Sequence, residues 1–533
     1  MPGQEAKGIA GRGKVSLREL LARAADRDWG CVDAPADLVI TQVTDDSRTV
    51  GPGACFVPVC GAQHDGARYV GDAVMRGAVA VVTDRPISVP GPAIRIRVPD
   101  ARRALARLAA VFTGFADANW ARRGGEGNAS LFRVIGVTGT NGKSTVCFMA
   151  HAILRAAGAP TALLGTIQYD LVSRRLEAPM TTPPAIQLMS HLAEAVSAGA
   201  THAVMEVSSH ALDQRRADGI RFDAGVFTNL TGDHLDYHKD FEAYRLAKRR
   251  LFDLLDRDAT AVINVDDRNG ESMVEACRGK VVRVGLNGGA DVYARIRSIT
   301  ANGTDFDLMA EGRSMPVHLQ LVGRHNVQNA LAAAAAVRYL GGGGADWPEI
   351  VAGLESVKLV RGRLERVGNG ELPFTVLVDY AHTDDALQNV LSALRPLASG
   401  NLIVMFGCGG DRDRSKRPRM ANVAERWADR IVVTSDNPRS ERPDDIIEEI
   451  LRGFSERARS KVIVQADRRR AIEEAIGCAG PGDVVLLAGK GHETYQQIGG
   501  QRIHFDDVEV ATEVINRLCR GSTTAASAGA KQG

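Results

Sequence analysis

The stretch 133-RVIGVTGTNGKST-145 constrains this chain more than any other. An apolar strand runs into a glycine-rich turn, and Lys-Ser-Thr then opens an amphipathic helix. This is the layout in which backbone N–H groups at a helix N-terminus cradle phosphate, a lysine adds a point charge and a hydroxyl reaches Mg²⁺. The spacing departs from the usual P-loop, which has four residues between its glycines: five separate Gly136 from Gly142, and two separate Gly139 from Gly142. The strand before and the helix after still point to a phosphate-binding loop.

Such a unit predicts a mostly parallel sheet with helices on both faces, because parallel strands need crossover connections. The runs 203-AVMEVS-208, 224-AGVFTNL-230 and 261-AVINV-265 supply further strands, and 325-HNVQNALAAAAAVRYL-340 reads as a helix stopped by Gly341 to Gly344. Upstream, 54-ACFVPV-59, 78-AVAVVT-83 and 93-AIRIRV-98 lie between Gly, Pro and Asp clusters and suggest a small α/β module. The polar 117-DANWARRGGEGNAS-130 reads as an exposed connection near a domain border. After Arg361 the alternation restarts with 374-FTVLVDY-380, 401-NLIVMFG-407, 430-RIVVTS-435 and 483-DVVLLAG-489. The expected fold class is therefore α/β in three domains: residues 1–100, residues 101–357 with the P-loop, and residues 358–520 with a parallel sheet of their own, with 521–533 a disordered tail. A length of 533 residues agrees with about three domains.

A net charge of +2 with no basic stripe argues against a nucleic-acid partner. The first fourteen residues lack an apolar signal core and no run is long enough to span a bilayer, so a cytoplasmic location without membrane insertion is expected. The eight cysteines show no metal or redox spacing and read as reduced thiols.

Ligands of parallel sheets bind beyond the carboxyl ends of the strands. On that rule Glu206, ending one strand, and His234, in 228-TNLTGDHLDYH-238, share an edge with the P-loop and are candidates for metal or phosphate. Lys248 by itself reads as a solvated helix lysine. In the last domain, 408-CGGDRDRSKRP-418, 434-TSDNPRSERP-443 and 488-AGKGHET-494 each follow a strand. Together they gather Arg412, Asn437, Arg439 and Glu493, guanidinium forks and an acid that suit a zwitterionic amino acid.

Nine motifs in order, among them TGTNGKST, MEVSSHAL, TNLTGDHLDYH, GRHNVQNALAA, DYAHT, SDNPRSERP and GKGHE, resemble the Mur ligase family over about Asp46 to Asp507. TGTNGK[ST] is that family's own form of the P-loop. The resemblance implies a UDP-binding module, an ATPase domain and a Rossmann-like domain that receives the amino acid, and more closely the branch adding meso-diaminopimelate to UDP-N-acetylmuramoyl-L-alanyl-D-glutamate through an acyl phosphate, in peptidoglycan precursor synthesis. It implies ATP at Gly139, Thr140, Asn141, Gly142, Lys143, Ser144 and Thr145, with Asn326, Asn329 and Asp379 near the nucleotide or the domain junction. Two Mg²⁺ sites would involve Ser144, Glu206, His234 and a carbamylated Lys248; Lys143, His234 and Lys248 would be catalytic. Ser47, Ala62, Gln63, His64, Thr181, Thr182, Ser208, Gln214 and Arg216 match positions for the UDP-muramoyl dipeptide. Arg412, Asp436, Asn437, Pro438, Arg439, Gly489 and Glu493 match those for diaminopimelate, and a monomer is expected. Alternatives are the same ligation with L-lysine, which the positive Arg439 disfavours, and a folylpolyglutamate synthetase-like ligase. Asp384 and 361-RGRLE-365 depart from the family's commoner pattern at hinges.

Overall fold

The computed structural model describes residues 14–25, 29, 38–61, 64–120, 132–300, 302–341, 344–368 and 372–529, with residues 235, 236 and 520–529 described by backbone alone. Three main sheets follow one another along the chain. The first has four parallel strands in chain order, Gln42–Thr44, Ala54–Phe56, Ala78–Thr83 and Ile94–Arg97. Helix Ala101–Phe112, capped by Asp100, joins this sheet to the next, and its apolar face shares one buried core with residues of helix Ala185–Ser197.

The central sheet has eleven strands, and its parallel heart holds the P-loop strand Arg133–Thr138 between His202–Glu206 and Ala224–Phe227. Register sets Glu206 opposite Val137 and Phe227 opposite Thr138, so all three strands end together and deliver their following loops to one edge. Behind the sheet, helices Lys143–Ala156, Arg324–Arg338 and Trp347–Ser356 form a second core. Small residues let these helices approach closely: a Cβ on Gly353 would fall 2.4 Å from Ile153 Cα. The far edge is an antiparallel meander, Val292–Thr300, Gly303–Ala310 and Arg313–Leu319, that the alternation of strand and helix does not announce.

The third sheet runs Glu365–Val367, Thr375–Asp379, Val484–Ala488, Leu402–Phe406, Arg430–Val433 and Val462–Val464, parallel except at its first strand. The stretch 117–130 is not simply an exposed connection. Asn119 is buried and its amide bonds to Phe132 and Arg221 carbonyls (both 3.1 Å), while Trp120 donates to the Gly219 carbonyl (3.0 Å). Residues 121–131 lie outside the described residues. The last helix, Asp507–Gly529, reaches into the stretch expected to be disordered, since extending a helix that is already nucleated costs less than starting one. Among the described residues no helix is long and apolar enough to cross a membrane.

Candidate active site

The P-loop positions its donors by backbone geometry. Gly139 (φ 148°) and Gly142 (φ 86°) hold conformations that side chains resist, and space forbids a Cβ at either. One on Gly139 would meet Thr228 Oγ1 at 1.9 Å, and one on Gly142 would meet Asn329 Oδ1 at 2.4 Å. The loop is pinned to the neighbouring strand end: Thr140 N donates to Asn229 O (2.9 Å) and Asn141 N to Asn229 Oδ1 (2.9 Å). Lys143 Nζ reaches back to the carbonyls of Gly139 (3.0 Å) and Thr140 (2.8 Å), and burial lowers its pKa.

Glu206 is buried at the end of its strand and accepts from Ser144 Oγ (2.8 Å), Thr166 N (2.8 Å) and Thr166 Oγ1 (3.0 Å). Lys248 is not a solvated lysine: its side chain is buried, Nζ donates to Gly139 O (2.7 Å) and sits 4.4 Å from the centre of the Tyr244 ring. Burial, with Lys143 nearby, holds its pKa well below the usual lysine value. Tyr244 in turn meets Thr140 through its hydroxyl (3.1 Å). His234 stands in the left-handed region (φ 55°), packed edge-on against His210 at 4.9 Å, and burial lowers its pKa.

Of the expected metal set, Ser144 and Glu206 touch, while Lys248 lies behind the loop on Gly139. Among the described residues no group of three or more His, Cys, Asp or Glu is arranged to hold a metal. An ammonium repels a cation, so Lys248 as a lysine cannot be a ligand. The Ser144–Glu206 oxygen pair at the mouth of a glycine cradle does fit one Mg²⁺ accompanying phosphate.

Two cavities meet over this edge. The smaller, about 420 Å³, is lined by Thr140 to Thr145, Glu206, His234, Asn326, Asn329, Arg363 and Asp379. The larger, about 1010 Å³, runs from Thr181, Thr182, Ser208 and Arg216 in the central domain to Arg412, Asp436, Asn437, Arg439, Gly489 and Glu493 in the third. Arg216 is oriented by Gln214 Oε1 (2.6 Å) and the Thr182 carbonyl (2.9 Å). Ser208 caps helix Ser209–Asp213 by accepting from Ala211 N (3.2 Å). Ser47, in the short turn Ser47–Thr49, and His64 line neither cavity, and Ala62 and Gln63 lie outside the described residues.

Asp379 lines the smaller cavity, but its carboxylate accepts from Leu364 N (2.7 Å) and Ala381 N (2.8 Å) and so fixes the connection between domains. Two residues of that connection, Gly362 (φ 67°) and Leu364 (φ 46°), hold left-handed conformations. Arg363 between them was missed in the sequence. It reaches across to Ser144 Oγ (3.1 Å) with its guanidinium 4.7 Å from the Tyr380 ring centre. The basic residue in 361-RGRLE-365 was its only signal, since the partner lies 219 positions away.

In the third domain the loops are joined by buried charge. Asn437 donates to Glu493 Oε2 (2.8 Å) and accepts from Gln497 N (2.9 Å). Lys490, fully buried and also unforeseen, lies 3.4 Å from Glu493 Oε2 and 3.7 Å from Asp436 Oδ1, an atom without a hydrogen bond. Burial raises the Glu493 pKa, with Asp436 adding to the effect. Arg439 (φ 51°) donates through Nη1 to Gly410 O (2.7 Å), and its backbone pairs with the hairpin Tyr495–His504 through Gln497 O and Gly499 N. Beneath both loops, Arg468 and Asp507 form a buried pair (2.6 and 2.8 Å). Arg468 also holds the carbonyls of Ser435 (3.2 Å) and Ala488 (3.1 Å).

Comparison with known proteins agrees with this geometry. The Mur ligase family catalytic domain matches residues 39–113, the Mur ligase middle domain 137–337 and the Mur ligase glutamate ligase domain 362–491. A UDP-N-acetylmuramoyl-L-alanyl-D-glutamate–2,6-diaminopimelate ligase of Geobacter metallireducens is 44% identical over 493 residues, 89% of this chain and 93% of that protein. A solved structure of a ligase of that name is 32% identical with a TM-score of 0.67, covering 95% of this chain and 99% of its own. MurF ligase from Thermotoga maritima, in complex with ADP, shares the fold at 18% identity and a TM-score of 0.59, over 89% of this chain and 97% of that one.

Proposed function

The chain belongs to the Mur ligase family, and from that premise we propose how its parts carry out one ligation. It is an ATP- and Mg²⁺-dependent ligase that joins meso-2,6-diaminopimelate to the D-glutamyl carboxylate of UDP-N-acetylmuramoyl-L-alanyl-D-glutamate in peptidoglycan synthesis. The observation that carries this reading is the common wall of the two cavities, where nucleotide and acceptor carboxylate can meet. A carboxylate is a poor electrophile until its oxygen bears a phosphoryl group, and the shared wall is where that transfer belongs.

On this reading the P-loop backbone from Gly139 to Thr145 takes the ATP phosphates. Lys143 turns from the Gly139 and Thr140 carbonyls toward them, and Arg363 adds a second positive group beside Ser144. Ser144 and Glu206 would hold Mg²⁺, and His234, which lines the same cavity, would serve a second such ion; when bound, the metal would neutralise charge on the phosphate. Asn326 and Asn329 shape the nucleotide cavity, while Asp379 keeps the third domain in position over it. A carbamate on Lys248 would replace its cation by an anion beside the P-loop, and its burial against Gly139 supports that modification.

Thr181, Thr182, Ser208, Gln214 and Arg216 orient the muramoyl dipeptide, and Ser47 with the segment 62–64 would take its uridine end. Arg412, Asp436, Asn437, Pro438, Arg439, Gly489 and Glu493 form the diaminopimelate site. There Arg439 meets the distal carboxylate that L-lysine lacks, while Asp436 and Glu493 meet ammonium groups. We take the domain limits as 1–100, 101–357 and 358–520, a division that the presence of three main sheets in chain order supports. We take the working form to be a cytoplasmic monomer, testable by sedimentation.

The decisive experiment measures phosphate release with ATP, Mg²⁺ and UDP-N-acetylmuramoyl-L-alanyl-D-glutamate, supplying meso-diaminopimelate or L-lysine in parallel and weighing the product. A tripeptide formed with diaminopimelate alone is expected. A lysine product would overturn the role of Arg439, and no turnover with either would overturn the ligase reading.

A further inference from the structure

Thr166, Thr181, Asp233, His234, Tyr380 and His382 are the residues common to both cavities. Four come from the central domain, on the side of the phosphate and the acceptor acid. Tyr380 and His382 come from the third domain, the side from which the amine must arrive. On the ligase reading above, the chemistry at this boundary needs a proton acceptor. The attacking nitrogen becomes positively charged when it bonds the acyl carbon, and the adduct yields a neutral amide only when an N–H proton departs.

His382 is built for that task. Its Nδ1 lies 2.9 Å from the Tyr380 carbonyl, which can only accept, so Nδ1 carries the ring hydrogen and Nε2 keeps a free lone pair. The ring packs 4.6 Å from the Tyr380 ring, itself held between His492 (5.0 Å) and the Arg363 guanidinium (4.7 Å). Lys416 Nζ fixes the His382 carbonyl (2.9 Å), and Thr383 caps the helix Asp384–Leu394 that follows. The charged groups acting on the ring are Lys416, Asp233 and Asp436, with His492 nearby; burial and then Lys416 push its pKa down to about 4, which leaves the imidazole neutral near pH 7.

We propose that His382 Nε2 accepts the amine proton as diaminopimelate attacks the acyl phosphate. The nitrogen lone pair forms the bond to the acyl carbon and the carbon–oxygen bond to phosphate breaks, its electron pair leaving with phosphate. One N–H proton passes to Nε2 and then to bulk water.

The test separates the two half-reactions. Hydroxylamine, a weakly basic nucleophile uncharged at neutral pH, traps the acyl phosphate as a hydroxamate without diaminopimelate. In His382→Gln and His382→Asn, hydroxamate formation should stay within about threefold of the unsubstituted enzyme. Tripeptide formation should fall on the order of 10²-fold in kcat, with KM for diaminopimelate little changed. The proposal is overturned if both variants lose hydroxamate and tripeptide in parallel, if either keeps full ligation, or if the loss appears in KM alone. Failure of the unsubstituted enzyme to form either product would instead refute the ligase reading itself.

Discussion

At the P-loop, shape is set by backbone: Gly139 and Gly142 hold conformations that side chains resist, and added side-chain atoms at either would collide with Thr228 or Asn329. In the third domain, the amino-acid loops are held by side chains instead, through Arg468 and Asp507 below and Lys490, Asp436, Glu493 and Asn437 above. On the proposed reading, the first arrangement holds nucleotide phosphates and depends on where charge is placed, and the second chooses between amino acids and depends on charges that are costly to bury unpaired. Phosphate chemistry and substrate choice should therefore fail separately.

The largest effect expected is on chemistry. Lys143→Ala should lower kcat for phosphate release on the order of 10³-fold while leaving the KM for diaminopimelate nearly unchanged; a loss below tenfold would break the contrast. Next comes the scaffold of the second site. Asp507→Asn leaves Arg468 charged and unpaired in the core and should cost about 3–5 kcal/mol by denaturant unfolding. Arg468→Met combined with Asp507→Leu should recover much of that, and equal losses in the single and double variants would show that the pair's charge is not the cause. Lys248→Ala should slow turnover by about 10²-fold and regain activity with added short carboxylic acids, since an anion is the missing element; full activity without them would rule out the carbamate.

Arg439→Ala should raise KM for diaminopimelate by about 10- to 100-fold, the worth of a charged hydrogen bond, with KM for ATP unmoved. A shift in both constants would mean that the two sites are not separable. The smallest effect is at the rim. Asp384 pairs with Arg419 at 3.0 Å on a partly exposed surface, and Asp384→Ala should change stability by less than about 1 kcal/mol and leave activity intact.

The contrast also explains what could be read in advance. The P-loop is a local object, so strand, glycines, lysine and helix appear within 133–145, and the strand ends that carry Glu206 and the three amino-acid loops follow from hydrophobic runs. Arg363, Lys490, Arg468 and His382 did not stand out, because each acquires meaning from partners that are brought close only by folding. Lys248 looked solvated for the same reason: nothing in 244-YRLAKRRLF-252 tells which lysine or arginine faces Gly139. The meander from Val292 to Leu319 escaped because its strands alternate polar and apolar residues at a sheet edge rather than forming continuous apolar runs. Disorder was expected past residue 520, where the preceding amphipathic turns carry a helix onward.

Among the described residues, the contacts that sew the third domain to the smaller cavity include Asn141 Nδ2 to Asp385 (2.9 Å), Thr231 to the same Asp385, Arg363 to Ser144 (3.1 Å), and His492 against the Thr166 backbone. On the proposed reading each ends on or beside a group that handles the nucleotide, so separating the two domains and letting go of spent ADP would be one event. The enzyme thereby acquires a clock. On that reading, the time the finished tripeptide stays inside then depends on how long these hydrogen bonds hold, and the pace of precursor supply is set in part by a connection that lies beside the phosphate itself.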